Sequence, residues 1–259
     1  MLDYFVVDAF AERPFGGNPA GVCVLAAPLE EAQMQRIAAE NRLPETAFLL
    51  GADGHYSLRW FTPLDEIDLC GHGTLAAAFV VMNHLEPGRT RVAFETESGL
   101  LTVERQGARF EMALPRREPR SVAWTPALAE ALQLAQVVDA YEARDLFVVL
   151  ENERAVRDYQ PDYEKLRTLS SWLGIVLTAQ GTEVDIVSRY FCPELGEEDP
   201  VTGSSHCVLT PLWAKWLRKG TLSARQLSPR GGLLYCTLEE QAVRVSGSAV
   251  LYLQGNIMV

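Results

Sequence analysis

No stretch of this 259-residue chain is long and apolar enough to span a membrane. The longest strongly hydrophobic run, Leu75 to Met82, stops far short of the roughly 18–20 residues that crossing a bilayer requires. No Lys/Arg cluster offsets the formal charge of −11, and a pI near 4.9 argues against a generic surface for nucleic acid or anionic lipid. Cys23, Cys70, Cys192, Cys207 and Cys236 are odd in number and form no Cys-x-x-Cys pair, so free thiols are expected rather than a disulfide framework. The turn cluster Phe15-Gly16-Gly17-Asn18-Pro19-Ala20-Gly21 does not match G-x-G-x-x-G, which leaves a dinucleotide site with little support and a plain tight turn as the better reading. Gly203-Ser204-Ser205-His206 is not the G-x-S-x-G of a serine hydrolase. Cys70-x-His72 and His206-Cys207 are not usual zinc spacings, so no metal is expected. Met1-Leu2-Asp3-Tyr4 has neither a basic region nor a signal-like apolar core, and a cytoplasmic location is expected.

What remains is an ordinary globular composition, 48% hydrophobic and 22% charged, with a length suited to one large or two ordinary domains and to work on small molecules. Two loops stand out. Asp68-Leu69-Cys70-Gly71-His72-Gly73-Thr74 opens directly into the apolar run Leu75 to Met82. Asp199-Pro200-Val201-Thr202-Gly203-Ser204-Ser205-His206 leads into a second apolar helical stretch. The first backbone N–H groups of such helices are left free, and a helix start is a natural anion site.

The chain before the first loop reads as a strand over Tyr4–Phe10, a turn, a strand over Val22–Leu25, and a helix over Glu30–Asn41 with Met34, Ile37 and Ala38 on one face. Pro44 stops that helix, because proline clashes with the preceding turn and disfavours helical geometry in Leu43. Glu45 therefore falls at the junction of helix and strand, where it can face a cleft beside apolar Ala47, Phe48 and Leu49, a setting suited to proton transfer. Strands follow over Tyr56–Thr62, Arg91–Glu95, Leu100–Glu104 and Ala108–Leu114. The segment Pro115-Arg116-Arg117-Glu118-Pro119-Arg120 then breaks the pattern, and the boundary is placed there, giving domains 1–115 and 120–259, with the last strand able to pack back on the first domain. Beyond it come a helix announced by Thr125-Pro126, a strand over Leu146–Leu150, a helix over Tyr163–Leu173, strands over Ile175–Thr178 and Val184–Phe191, the second loop and helix, and three closing strands within 233–253.

The two parts repeat one plan. Arg59-Trp60-Phe61-Thr62-Pro63 recurs as Arg189-Tyr190-Phe191-Cys192-Pro193, Cys70-Gly71-His72 answers Thr202-Gly203-Ser204, and Ser98-Gly99-Leu100-Leu101 answers Gly231-Gly232-Leu233-Leu234. A two-copy repeat of roughly 115–130 residues is a duplicated domain rather than a solenoid. The helix after the first loop is apolar nearly all round, so sheet must enclose it. The expected fold is α+β, with two pseudo-symmetric domains, each a curled, mostly antiparallel sheet around a central helix, and both helix starts directed at a shared cleft.

Such a pair of positive helix ends can hold a carboxylate and stabilise the charge that develops when a neighbouring C–H loses its proton. Cys70, Gly71 and His72 are poor caps, so the first helix is expected to keep its N–H groups available, whereas Thr202, Ser204 or Ser205 could cap the second. A nearby helix end favours neutral His72, and Asp199 is a plausible partner for it.

Asn18-Pro19, Pro44-Glu45-Thr46-Ala47-Phe48, Asp68-Leu69-Cys70-Gly71-His72 and Glu198-Asp199-Pro200-Val201-Thr202-Gly203-Ser204, in that order along nearly the whole chain, resemble the phenazine-biosynthesis PhzF-like family of the diaminopimelate-epimerase-like superfamily. The resemblance implies a homodimer and cofactor-independent isomerisation of a small carboxylate-bearing substrate. It gives Glu45, His72 and Asp199 catalytic places, with Asn18, Cys70, Gly71, Gly73, Thr202, Gly203 and Ser204 around the substrate. Relatives that racemise amino acids use two facing cysteines; here Cys70 holds the first position but Thr202 the second, and a hydroxyl is too weak an acid to replace a thiolate without strong activation. A single glutamate that returns its proton to another carbon carries out an allylic shift. A racemase or epimerase pairing Cys70 with Glu45, and a binding protein of the same fold without turnover, are the alternatives.

Overall fold

The computed structural model describes residues 1–259, and the chain divides into two compact units, Met1–Ala113 with Arg244–Val259, and Leu114–Val243. No helix is long and apolar enough to cross a membrane.

In the first unit the chain runs β1 (Leu2–Ala9), β2 (Asn18–Leu25), α1 (Glu31–Asn41), β3 (Glu45–Ala52), β4 (His55–Phe61), β5 (Glu66–Ile67), α2 (Gly71–Val80), β6 (Arg91–Thr96), β7 (Gly99–Gln106) and β8 (Arg109–Pro115). A single π turn, Val81–Leu85, continues α2. β1 lies antiparallel to β2, β2 parallel to β3 and β3 antiparallel to β4. β4 runs parallel to β6, which starts the antiparallel run β6, β7, β8. The other edge of β1 is covered by the closing strand, Ala249–Ile257, so the chain's end returns to the unit in which it began. The division thus falls at Ala113/Leu114 and again at Val243/Arg244, where the sequence suggests one break near Pro115–Arg120; the ion pair of Arg244 with Glu111, at 3.3 Å, ties the returning segment down.

α2 is packed against β1, β2 and β3, and Leu75, Ala76, Ala77, Ala78 and Val80 are all wholly buried. Burial of each large aliphatic side chain contributes about 1.5–3 kcal/mol, so a helix with no polar face is stable only inside such a wrapping.

The second unit contains β9 (Arg120–Ser121), α3 (Pro126–Leu132), β10 (Asp139–Glu142), β11 (Leu146–Val149), α4 (Glu153–Asp158), α5 (Tyr163–Leu166), β12 (Ile175–Gln180), β13 (Ile186–Cys192), β14 (Glu197–Asp199), α6 (His206–Leu217), β15 (Thr221–Gln226) and β16 (Gly232–Leu238). Its pairings copy those of the first: β10 antiparallel to β11, β11 parallel to β12, β12 antiparallel to β13, β13 parallel to β15, β15 antiparallel to β16. Thr125 caps α3 as its sequence announces, its hydroxyl accepting from the Leu128 N–H at 3.3 Å. Pro211 lies inside α6 and cannot donate to the Cys207 carbonyl one turn back; the Arg117 N–H takes that acceptor instead, at 3.1 Å.

The helix expected over Tyr163–Leu173 ends at Leu166. Beyond it the N–H groups of Thr168, Leu169 and Trp172 bond three residues back, and the Thr168 hydroxyl takes the Lys165 carbonyl at 2.6 Å, which tightens the chain into successive turns. Leu166 and Leu169 reach the core nonetheless. α4 and β10 carry too few periodic residues to be read from sequence; α4 is set by the Asn152 cap on the Ala155 N–H, at 3.0 Å.

The repeated Arg-x-Phe motif shows what duplication preserves. Arg59 forks onto Glu66 at 2.6 and 2.5 Å, with its guanidinium 5.2 Å from the Phe61 ring; Arg189 forks onto Glu198 at 2.7 and 2.7 Å, 4.9 Å from Phe191. The surroundings differ. The Arg59 side chain is 36% exposed, whereas that of Arg189 is 9% exposed and also donates to the carbonyls of Val156, Arg157 and Tyr159. Arg189→Met should therefore destabilise the protein by about 3–5 kcal/mol, since it strands a buried carboxylate and three acceptors, while Arg59→Met should lose no more than about 1 kcal/mol. Urea midpoints of the two variants against wild type check this, and equal losses would contradict it.

Candidate active site

Three elements of the first unit meet at one end of the enclosed helix. Parallel pairing of β2 with β3 sets Ala20 opposite Glu45, which brings the start of β2, with Asn18, beside the start of β3. α1 ends with Arg42 in the left-handed conformation, its N–H on the Ala38 carbonyl at 3.1 Å, and the chain then turns through Pro44 so that Glu45 is the first residue of β3. α2 begins alongside them at Gly71.

His72, 7% exposed, is the centre of this cluster. Its Nε2 lies 2.7 Å from Glu45 Oε2 and its Nδ1 lies 3.3 Å from the amide nitrogen of wholly buried Asn18. In the neutral ring the proton sits on Nε2, facing Glu45, and Nδ1 accepts from Asn18; a half-turn of the Asn18 amide presents its oxygen and accommodates a second ring proton. Burial pushes the His72 pKa down, but its neighbours Cys70 and Glu45 outweigh burial, and the net shift is upward, well above the usual histidine value. Burial, and then Glu45, push the Cys70 thiol up against the opposing pull of His72 and the Gly73 N–H, so Cys70 is a neutral thiol at pH 7 and Glu45 is the group that holds the His72 proton.

Two expectations are corrected here. The sequence favours neutral His72 because it sits at a helix start; the adjacent Glu45 carboxylate overrides that field. It reads Cys70 as a poor cap; the Cys70 sulfur accepts the Gly73 N–H at 3.3 Å, while its carbonyl takes the Thr74 hydroxyl at 2.6 Å. The helix geometry still leaves the N–H groups of Gly71 and His72 at the tip. Gly73 has to be glycine: a Cβ there would lie 2.8 Å from the Trp60 ring and 3.0 Å from the Cys70 sulfur.

In the second unit, Asp199 closes β14 and accepts the Thr202 hydroxyl, so that hydroxyl is engaged. The loop to α6 is held from behind. Gln226, wholly buried, accepts the Thr202 N–H at 2.9 Å and donates to the Asp199 carbonyl at 2.7 Å, and Ser228 donates to the Pro200 carbonyl at 2.7 Å. The Thr202 carbonyl receives both the Ser205 hydroxyl, at 2.8 Å, and His206 Nδ1–H, at 2.9 Å. Serine capping of this helix is not found: Ser205 stands at the cap position, and its hydroxyl accepts no backbone N–H of the helix. Burial pushes the His206 pKa down to about 4, which keeps it neutral as a structural donor. The Ser204 hydroxyl accepts from Arg144 at 3.4 Å. Gln226, Arg144 and the clamping role of His206 have no local sequence signature, since each acts on residues distant in the chain.

A groove of the first unit lined by Glu31, Ser57, Arg59, Glu66 and Glu95 contains none of the candidate residues, and its one cation is already paired with Glu31 and Glu66. Asn18, Glu45, Cys70 and His72 are brought together instead at the start of α2.

A profile of the family described as phenazine biosynthesis-like protein matches residues 7–255. An uncharacterized isomerase of Pseudomonas aeruginosa is 44% identical over 99% of this chain and 98% of its own. A crystal structure of a phenazine biosynthesis protein of the PhzF family from Enterococcus faecalis is 45% identical, covering 100% of this chain and 99% of that one with a TM-score of 0.96. A hydroxyproline epimerase from Agrobacterium vitis, 10% identical with a TM-score of 0.65 over 98% of this chain and 91% of that one, shares the fold alone.

Because the folded His72 pKa lies above its unfolded value, the stabilisation from its charged form is complete below about pH 6.5 and is lost as pH rises through the folded value. The stability difference between wild type and His72→Asn should therefore be constant in mild acid and shrink at higher pH. Urea titrations at a series of pH values check this, and a difference that grows with pH would refute the assigned direction.

Proposed function

This chain belongs to the phenazine biosynthesis-like family, and from that premise we propose that it is a cofactor-independent isomerase that moves one proton within a small carboxylate-bearing substrate, with Glu45 as acid and base. The observation that carries the reading is the 2.7 Å pairing of Glu45 with buried His72 at the N–H-rich tip of an enclosed helix. Glu45 takes a proton from a carbon activated by the substrate's carboxylate. Negative charge develops on that carboxylate, where the free N–H groups of the α2 tip and the His72 proton stabilise it. One such fixed donor is worth about 3–4 kcal/mol of barrier. Glu45 then returns the proton to a different carbon, which shifts a double bond.

A racemase needs a second base on the opposite face of the carbon. Cys70 suits that role poorly, because its thiol is held neutral and its sulfur already accepts the Gly73 N–H. Thr202 suits it no better, its hydroxyl being donated to Asp199. Asp199, Thr202, Gly203 and Ser204 enter this reading as substrate-contacting residues through the family alone, as does assembly into a homodimer.

Glu45→Gln, which keeps size and shape, should reduce substrate-dependent proton exchange in heavy water by about 10²-fold or more while leaving the far-ultraviolet circular dichroism of the folded protein unchanged. Screening small cyclic and amino-acid carboxylates by NMR makes the measurement. Exchange at the wild-type rate in this variant would remove the assigned base, and deuterium incorporation with inversion at a stereocentre, without double-bond migration, would favour the racemase alternative.

A further inference from the structure

We propose that Arg144 and Ser204, in the second unit, form a binding site for a small monocarboxylate. The two units place different chemistry at matching positions. Thr46 pairs with Phe61 in the first unit and Ile175 with Phe191 in the second, so the repeated Arg-x-Phe motifs set Gly174 where Glu45 stands, and the repeated glycine loops set Ser204 where His72 stands. A glycine has no group to carry a proton. The ring of Tyr190, which precedes Phe191 as Trp60 precedes Phe61, fills the space instead: a Cβ on Gly174 would lie 2.2 Å from its hydroxyl. That hydroxyl donates to buried Asp145 at 3.1 Å, and Asp145 accepts both Nε and Nη2 of Arg144, each at 3.3 Å. Where the first unit pairs a carboxylate with an imidazole, the second therefore holds a fixed guanidinium that stays charged at every working pH.

The donors left over define the ligand. Asp145 takes the side of the guanidinium formed by Nε and Nη2, which leaves the outer Nη2 hydrogen for the Ser204 hydroxyl, at 3.4 Å. Nη1 takes part in none of these contacts. Because the guanidinium is planar, one Nη1 hydrogen lies on the same edge as that outer Nη2 hydrogen and points the same way, so an acceptor on Nη1 sits next to the Ser204 oxygen. Ser204 accepts from Arg144 and keeps its own hydroxyl proton to donate, so a carboxylate oxygen placed there accepts from Nη1 and from Ser204 together. The Arg144 side chain is 43% exposed, which leaves this edge within reach of an ion from solvent. Charge narrows the class: Asp145 already offsets the guanidinium, so a phosphate dianion would leave more negative charge than the site can balance. The fork onto Asp145 and the Tyr190 contact behind it restrict the guanidinium beforehand, so little side-chain freedom is lost on binding.

Through Ser204 the site joins the substrate contacts of the isomerase reading, and its use in catalysis rests on that reading; binding of the anion does not. The test titrates isotope-labelled full-length protein with sodium benzoate at constant ionic strength and follows the backbone amide signals of Arg144 and Ser204 by NMR, with benzamide and inorganic phosphate as comparisons. Saturable shifts at Ser204 are expected with benzoate, none with benzamide, weaker binding of phosphate, and at least tenfold weaker benzoate affinity in Arg144→Met. Arg144→Met leaves Asp145 buried without its cation. If that variant fails to fold, the double substitution Arg144→Met with Asp145→Asn, which removes both charges and keeps a side-chain oxygen for the Tyr190 hydroxyl, is the second probe. Absence of saturable shifts at Ser204 in wild type, equal benzoate affinity in the folded variant, equal binding of benzamide, or tighter binding of phosphate would each overturn the proposal. Benzoate binding that depends on Arg144, in a protein that exchanges no carboxylate's proton, would instead count against the isomerase reading and leave this site standing.

Discussion

Enclosure of α2 is the constraint from which the rest of the first unit follows. A helix with Leu75, Ala76, Ala77, Ala78 and Val80 fully buried has no face to offer water, so sheet must close around it. Lateral closure leaves polar groups to the ends of the helix, one of which is its N-terminal tip. The backbone N–H groups there cannot be satisfied within the helix, and the loop that precedes it must bring polar partners or leave donors for something else. Cys70 satisfies one of them through its sulfur, and His72 carries its imidazole into the same small volume.

An imidazole so deeply buried ought to be neutral, because removing a charge from water is expensive. The carboxylate 2.7 Å away decides otherwise, and Asn18 can serve either ring form by turning its amide. The result is an imidazole proton held against a carboxylate in a small buried volume.

The two units share a scaffold but differ at their helix starts. Both units run the same sequence of antiparallel and parallel pairings, and both fork an arginine onto a glutamate beside a phenylalanine ring. The helix starts have diverged. In the first, the side chain before the glycine caps the helix; in the second, the helix has no side-chain cap, and the preceding loop is instead held rigid by Gln226, Ser228, Ser205 and neutral His206.

Local pattern was enough to read the main strands, the capped helix at Thr125-Pro126, the doubled plan and the position of Glu45 at the start of a strand, because each depends on residues within a few positions or on like motifs compared with like. It was insufficient where the partner lies elsewhere in the chain. The helix after Tyr163 shortens because the Thr168 hydroxyl competes for a carbonyl, and α4 combines an asparagine cap with burial of Val156 against β12 and β13. That Glu45 is in ion-pair contact with His72 rests on the pairing of β2 with β3 and the packing of α2 against both, which no single element records. The amino-acid order by itself determined that an apolar helix would be wrapped by sheet with a glycine loop at its tip, since hydrophobic periodicity is a local property. Only the tertiary structure decided the charge of His72, the cap made by Cys70 and the meeting of three unlike side chains, since each is an interaction between side chains whose separation is set by strand pairing.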